Sequence, residues 1–210
     1  FEARGGCAIL LNTASSGTLR RQIEAGPSAD VYLSANERHM QALVEGGHIR
    51  PDAVRLFACN RLVVAQPAGE TPLALDSLAD LMTESLERIA IGSPRTAPVG
   101  EYAEEALRAV GIWDALEPRL ILAENAPQIA AYLRRDEVDA AILFATDVMP
   151  LSDSARTLLE IDPRLHSPIR YTIAVVSESE RPEAAANLVD FLCSPEALPT
   201  LRSHGFLGPE

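Results

Sequence analysis

Short runs of apolar residues alternate along this chain with segments whose apolar positions recur every three or four residues. The runs predict strands buried on both faces, the periodic segments predict amphipathic helices, and their alternation predicts an α/β fold. Strands are expected at residues 7–11, 31–33, 62–65, 89–91, 120–123, 140–144 and 171–176. Helices are expected at residues 20–25, 77–88, 102–110 and 183–192. One more is expected behind a capping box of Ser34 and Glu37, with Met40, Leu43 and Val44 buried and Gly46-Gly47 at its end. Another is expected behind Asn125, with Pro127 in its first turn. Residues 1–6 read as a helix tail closed by a glycine, after which residues 7–11 form a buried strand.

Composition narrows the function classes. The 210 residues are 47% hydrophobic and 23% charged, with a net charge of −12. A nucleic-acid binder would carry a basic face, and no Arg cluster supplies one. No apolar run reaches the length of a membrane span. No signal-peptide pattern stands at the start. Cys7, Cys59 and Cys193 lack metal-site spacing and are expected as small buried residues, with one disulfide left open as an alternative.

Three segments share one feature: a strand runs through small residues into a helix start. They are Ser15-Ser16-Gly17-Thr18, Pro98-Val99-Gly100 and Asn125-Ala126-Pro127. A helix start carries N–H groups without intrahelical acceptors and a partial positive charge, which suits an anion. Each start taken alone is ordinarily just a capped helix. His39, His48, His166 and His204 support neither a metal site nor a triad, and His39 is expected on the surface. Ser16 lacks a base and a nucleophile elbow, so binding is favoured over catalysis. Asp147 is expected as a cap.

More specific is the wording of several segments in shared order. Ala14-Ser15-Ser16-Gly17-Thr18-Leu19, Arg21-Gln22-Ile23-Glu24-Ala25-Gly26 and Asp30-Val31-Tyr32-Leu33-Ser34-Ala35 come first. Asn60-Arg61-Leu62-Val63-Val64, Ala90-Ile91-Gly92-Ser93-Pro94 and Pro98-Val99-Gly100-Glu101-Tyr102 follow, then Leu122-Ala123-Glu124-Asn125 and Ser194-Pro195-Glu196-Ala197. Together they resemble the molybdate-binding proteins of ABC transporters, a type II solute-binding family, across essentially the whole chain.

The resemblance implies a two-lobed periplasmic-binding-protein-like fold that closes on a tetrahedral oxyanion. One lobe would hold residues 1–60 and 177–210, the other residues 61–176. It implies that Ser16 gives a hydroxyl and an amide, that Val99 and Ala126 give backbone amides, and that Ser15 contributes less. Phe144 stands where the family has a tyrosine, so that donor is lost. The family's first strand and helix, with the serine of its Ala-Ser-Leu segment, are expected to be missing from these residues. The implied ligand is molybdate, with tungstate equally accepted. The implied partner is a membrane permease, and the implied location is periplasmic or extracytoplasmic, with no cofactor and no enzymatic step. Another oxyanion such as sulfate, or a ligand-sensing regulatory lobe, is the alternative.

Overall fold

The computed structural model describes residues 1–26 and 29–209. In chain order its strands are β1 (Val31–Ser34), β2 (Arg55–Cys59), β3 (Leu62–Pro67), β4 (Ile89–Gly92), β5 (Leu120–Ala123), β6 (Ala140–Phe144), β7 (Ala155–Glu160) and β8 (Arg170–Val175). The helices are α1 (Ser16–Glu24), α2 (Glu37–Glu45), α3 (Pro98–Ala109), α4 (Trp113–Leu116), α5 (Ala126–Arg134), α6 (Ala145–Val148), α7 (Pro182–Leu192) and α8 (Leu198–Ser203). The chain divides into two compact units, Phe1–Cys59 with Arg170–Glu210, and Asn60–Ile169.

In the first unit β8 is the central strand, antiparallel to β1 on one side and β2 on the other. Its side chains alternate between two apolar layers. Ala174 packs with Ile23, Tyr32, Met40 and Leu43, while Ile173 packs with Phe57, Ala58 and Val189. Period-2 alternation thus lets one strand serve helices on both faces. This pairing puts residues 170–176 in the first unit. The second crossing therefore falls between Ile169 and Arg170, where the sequence reading had placed it at 176.

In the second unit the sheet order is β5-β4-β6-β3-β7. β4 runs parallel to β5 and β6, whereas β3 is antiparallel to β6 and β7. Every residue of β3, β4 and β6 is buried, as continuous apolar runs require in a sheet covered on both faces. A fully buried Val, Leu or Ile contributes roughly 1.5–3 kcal/mol, so this block anchors the unit.

Several expectations are corrected. Residues 7–11 form no strand: Leu10 and Leu11 are 96% and 84% exposed, and the segment lines one side of a cleft of about 330 Å³ whose other side includes β1. Cys7 is accordingly exposed, Cys59 and Cys193 are half-buried, and all three are free thiols. The cap of α2 is Asn36, whose side chain accepts from the Arg38 N–H at 2.7 Å, and not Ser34, whose hydroxyl donates to the Asn36 carbonyl. His39 is buried on the inner face of α2 beside Met40. The helix expected at 77–88 is only a short 3-10 turn, Leu78–Met82, which does carry a Ser77–Asp80 capping box. Strands β2 and β7 were not anticipated, because their mixed polar patterns mark half-exposed edges.

Asp147 does not cap. It lies in the first turn of α6, and its Oδ2 is sealed from solvent without a hydrogen-bond partner, although the residue as a whole is only half-buried. Burial pushes its carboxyl up to about 6 from 3.8. A carboxyl whose folded pKa is raised leaves stability untouched below the unfolded value. It then costs stability progressively as pH rises from about 4 through about 6. Asp147→Asn should stabilise the protein at pH 7 by about 1–3 kcal/mol, with the gain vanishing near pH 4. Thermal melts of both proteins across that range measure it, and equal melting temperatures at pH 7 would contradict it.

Candidate functional site

The first unit brings Ser15 and Ser16 to the start of α1, and the two hydroxyls differ in what they are bound to. Ser15 is the N-cap: its Oγ accepts from the Thr18 N–H at 3.4 Å and lies 2.9 Å from the Thr18 hydroxyl. Ser16, 7% exposed, accepts the Ala35 N–H on its Oγ at 3.1 Å. That bond uses an oxygen lone pair. The N–H groups of Ser16 and Gly17 at this helix start have no acceptor among the described residues, and the Ser16 hydroxyl is also in hydrogen-bonding contact with the Tyr32 phenol. A buried donor set of this kind is suited to an acceptor-rich ligand.

In the second unit three candidate positions share one edge of the sheet. Parallel pairing sets Gly92 opposite Ala123 and runs β6 alongside β4, so β4, β5 and β6 all end on the same side. From those ends the chain turns into α3, α5 and α6. The Ser93 N–H donates to the Ala123 carbonyl at 2.7 Å and ties the first two ends together. Val99 follows Pro98 in the first turn of α3, and Ala126 opens α5 behind Asn125, whose Oδ1 accepts from the Gln128 N–H at 3.0 Å. The Val99 and Ala126 N–H groups have no acceptor among the described residues. Phe144 closes β6 as a buried ring, edge-on to Tyr102 with centroids 6.1 Å apart. Carboxyl ends of parallel strands leading into helix starts are where open α/β sheets hold ligands.

A family model described as bacterial extracellular solute-binding protein matches residues 1–207. The chain belongs to this family. The solute-binding protein is 31% identical to the molybdate-binding protein ModA of Escherichia coli, over 98% of this chain and 80% of that one. It is also 31% identical to YvgL of Bacillus subtilis, a putative ABC transporter substrate-binding lipoprotein, over 93% of this chain and 74% of that one. Its fold matches the periplasmic molybdate-binding protein of Azotobacter vinelandii with a TM-score of 0.87 at 20% identity, over 99% and 90% of the two chains.

The histidines of this solute-binding protein are dispersed. His48 lies 3.2 Å from Glu178, His166 sits against Tyr102, and His204 approaches the Thr200 carbonyl. Two residues that sequence reasoning passed over do touch the site: Ala35, through its N–H on Ser16, and Tyr32, whose hydroxyl donates to the Ser16 carbonyl at 2.8 Å. A signal for Tyr32 did exist, since a tyrosine in a buried strand needs a partner for its hydroxyl. Nothing in the sequence marks Ala35, because its contribution is backbone.

The start of α3 is set by two glycines. A Cβ on Gly92 would lie 2.7 Å from Val99 Cγ1 and 2.9 Å from the Gly100 nitrogen. A Cβ on Gly100 would overlap the Gly92 carbonyl oxygen and lie 2.8 Å from the Ser93 carbonyl carbon. Backbone therefore meets backbone, and neither side can yield as a flexible side chain would. Gly100→Ala must push the first turn of α3 off β4, at about 1–3 kcal/mol or more. Chemical denaturation should show that loss, and a variant as stable as the parent would refute the close packing.

Proposed function

We propose that this protein captures molybdate, and tungstate with similar affinity, outside the cytoplasm and delivers it to the permease of an ABC importer. The observation that carries this reading is the likeness to ModA along nearly the full chain. The chemistry of the candidate residues supports it. The Ser16 hydroxyl and N–H in the first unit, and the Val99 and Ala126 N–H groups in the second, are neutral donors held at helix starts, a chemistry suited to the oxygens of a tetrahedral dianion. Fixed dipoles of this kind need little reorganisation to meet a charge. The reading involves no cofactor and no chemical step: the anion is bound and released unchanged.

Donors alone also define what is rejected. Phosphate near neutral pH retains a proton, and that P–OH needs an acceptor which these groups do not offer. Calorimetric titration with molybdate, tungstate, sulfate and phosphate tests this. Molybdate and tungstate should bind alike, sulfate more weakly, and phosphate not measurably. Tighter binding of sulfate or phosphate than of molybdate would overturn the ligand assignment.

The two serines should separate under mutation. Ser16→Ala should weaken molybdate binding by about 1.5–3 kcal/mol, the scale of a hydrogen bond to a charged group. Ser15→Ala should instead cost about 1 kcal/mol of stability as a lost helix cap, with a smaller effect on affinity. Paired titrations and thermal melts read both quantities. Equal losses of affinity would mean that the donor role is not specific to Ser16.

A further inference from the structure

We propose that Tyr32 is a positioning residue for the oxyanion site, holding the Ser16 backbone so that the Ser16 hydroxyl and the first N–H groups of α1 keep a fixed direction. This rests on the reading of Ser16 as an oxyanion donor.

Tyr32 sits in β1 at 2% exposure, packed with Ile23, Met40 and Leu43. Its ring belongs to the apolar layer, and its hydroxyl is the one polar atom of that side chain. A buried O–H without an acceptor would cost about 1–3 kcal/mol, so the position of its acceptor matters. That acceptor is the Ser16 carbonyl, 2.8 Å away. Burial pushes the phenol up to about 12, so the hydroxyl remains a proton donor throughout the physiological range.

The same stretch of chain grips Ser16 a second time. Three residues after Tyr32, the Ala35 N–H reaches the Ser16 Oγ at 3.1 Å. Tyr32 thus holds the backbone of Ser16 and Ala35 holds its side chain. Ala35 is itself fixed, because its neighbours Ser34 and Asn36 are bonded to each other and Asn36 caps α2. One lone pair of Oγ is committed to Ala35, and the Tyr32 phenol is also in hydrogen-bonding contact with the Ser16 side chain, so two neighbours restrict the hydroxyl. The clamp leaves Ser16 able to donate while restricting where it points, which is the preorganisation an anion site needs.

Tyr32→Phe keeps the ring and removes only the hydroxyl. In the ligand-free protein, amide hydrogen exchange at Ala35 should accelerate several-fold, whereas exchange at Leu43, in the same apolar layer, should stay unchanged. Molybdate affinity should fall roughly tenfold, and the fall should shrink to within about threefold in a Ser16→Ala background, because residues in direct contact couple. Unchanged exchange at Ala35, or equal acceleration at Leu43, would overturn the clamp. So would a full tenfold loss in the Ser16→Ala background, since Tyr32 would then act independently of Ser16. If the parent protein bound no molybdate, the ligand assignment would fall by itself, and exchange at Ala35 would still decide whether Tyr32 holds Ser16.

Discussion

The first turn of an α-helix cannot satisfy its own N–H groups, and at the starts of α1, α3 and α5 not all of those groups find an acceptor among the described residues. Everything placed around α1, α3 and α5 acts on that constraint. Caps satisfy part of the demand: Ser15 and Asn125 take the N–H groups of Thr18 and Gln128. Prolines reduce it further, since Pro98 and Pro127 bring no N–H to their helix starts. Among the described residues, what remains is a small set of N–H donors at Ser16, Gly17, Val99 and Ala126, all neutral and all at helix starts.

Rigidity has a different origin in each unit. In the second unit it comes from the parallel strands β4 and β5, joined in register up to Gly92 and Ala123. The contact between Gly92 and Gly100 then seats the first turn of α3 against the end of β4. In the first unit hydrogen bonds reach the start of α1. Its start is held by side-chain and backbone hydrogen bonds from Tyr32 and Ala35. The sheet locates donors by backbone packing, and the α1 start locates them by hydrogen bonds, which a single hydroxyl can weaken.

The absence of counter-charge among these donors fits an acidic chain. Fixed dipoles can meet an anion without a charged side chain that must be desolvated when the ligand binds. Phe144 fits the same frame with one difference. Its ring packs against Tyr102 and offers no hydroxyl at the end of β6.

Sequence by itself determined the α/β class, the buried strands β3, β4 and β6, and the three helix starts. Those features are local: apolar runs, caps and helix-compatible prolines act within a few residues, and the alternation of periods reports them. The resemblance carried by the short motifs supplied the family, because shared wording in shared order is a property of the sequence alone. Tertiary structure decided the rest. The exposure of residues 7–11 follows from which neighbours pair with them, and an apolar run cannot state its own neighbours. β2 and β7 were illegible because half-exposed edge strands lose the apolar pattern. His39 is buried because α2 turns that side inward. Ser15 and Ser16 are adjacent and chemically identical in the sequence. Only the approach of Thr18 to one and of Ala35 to the other, from nineteen residues away, makes the first a helix cap and the second the acceptor of a distant backbone N–H.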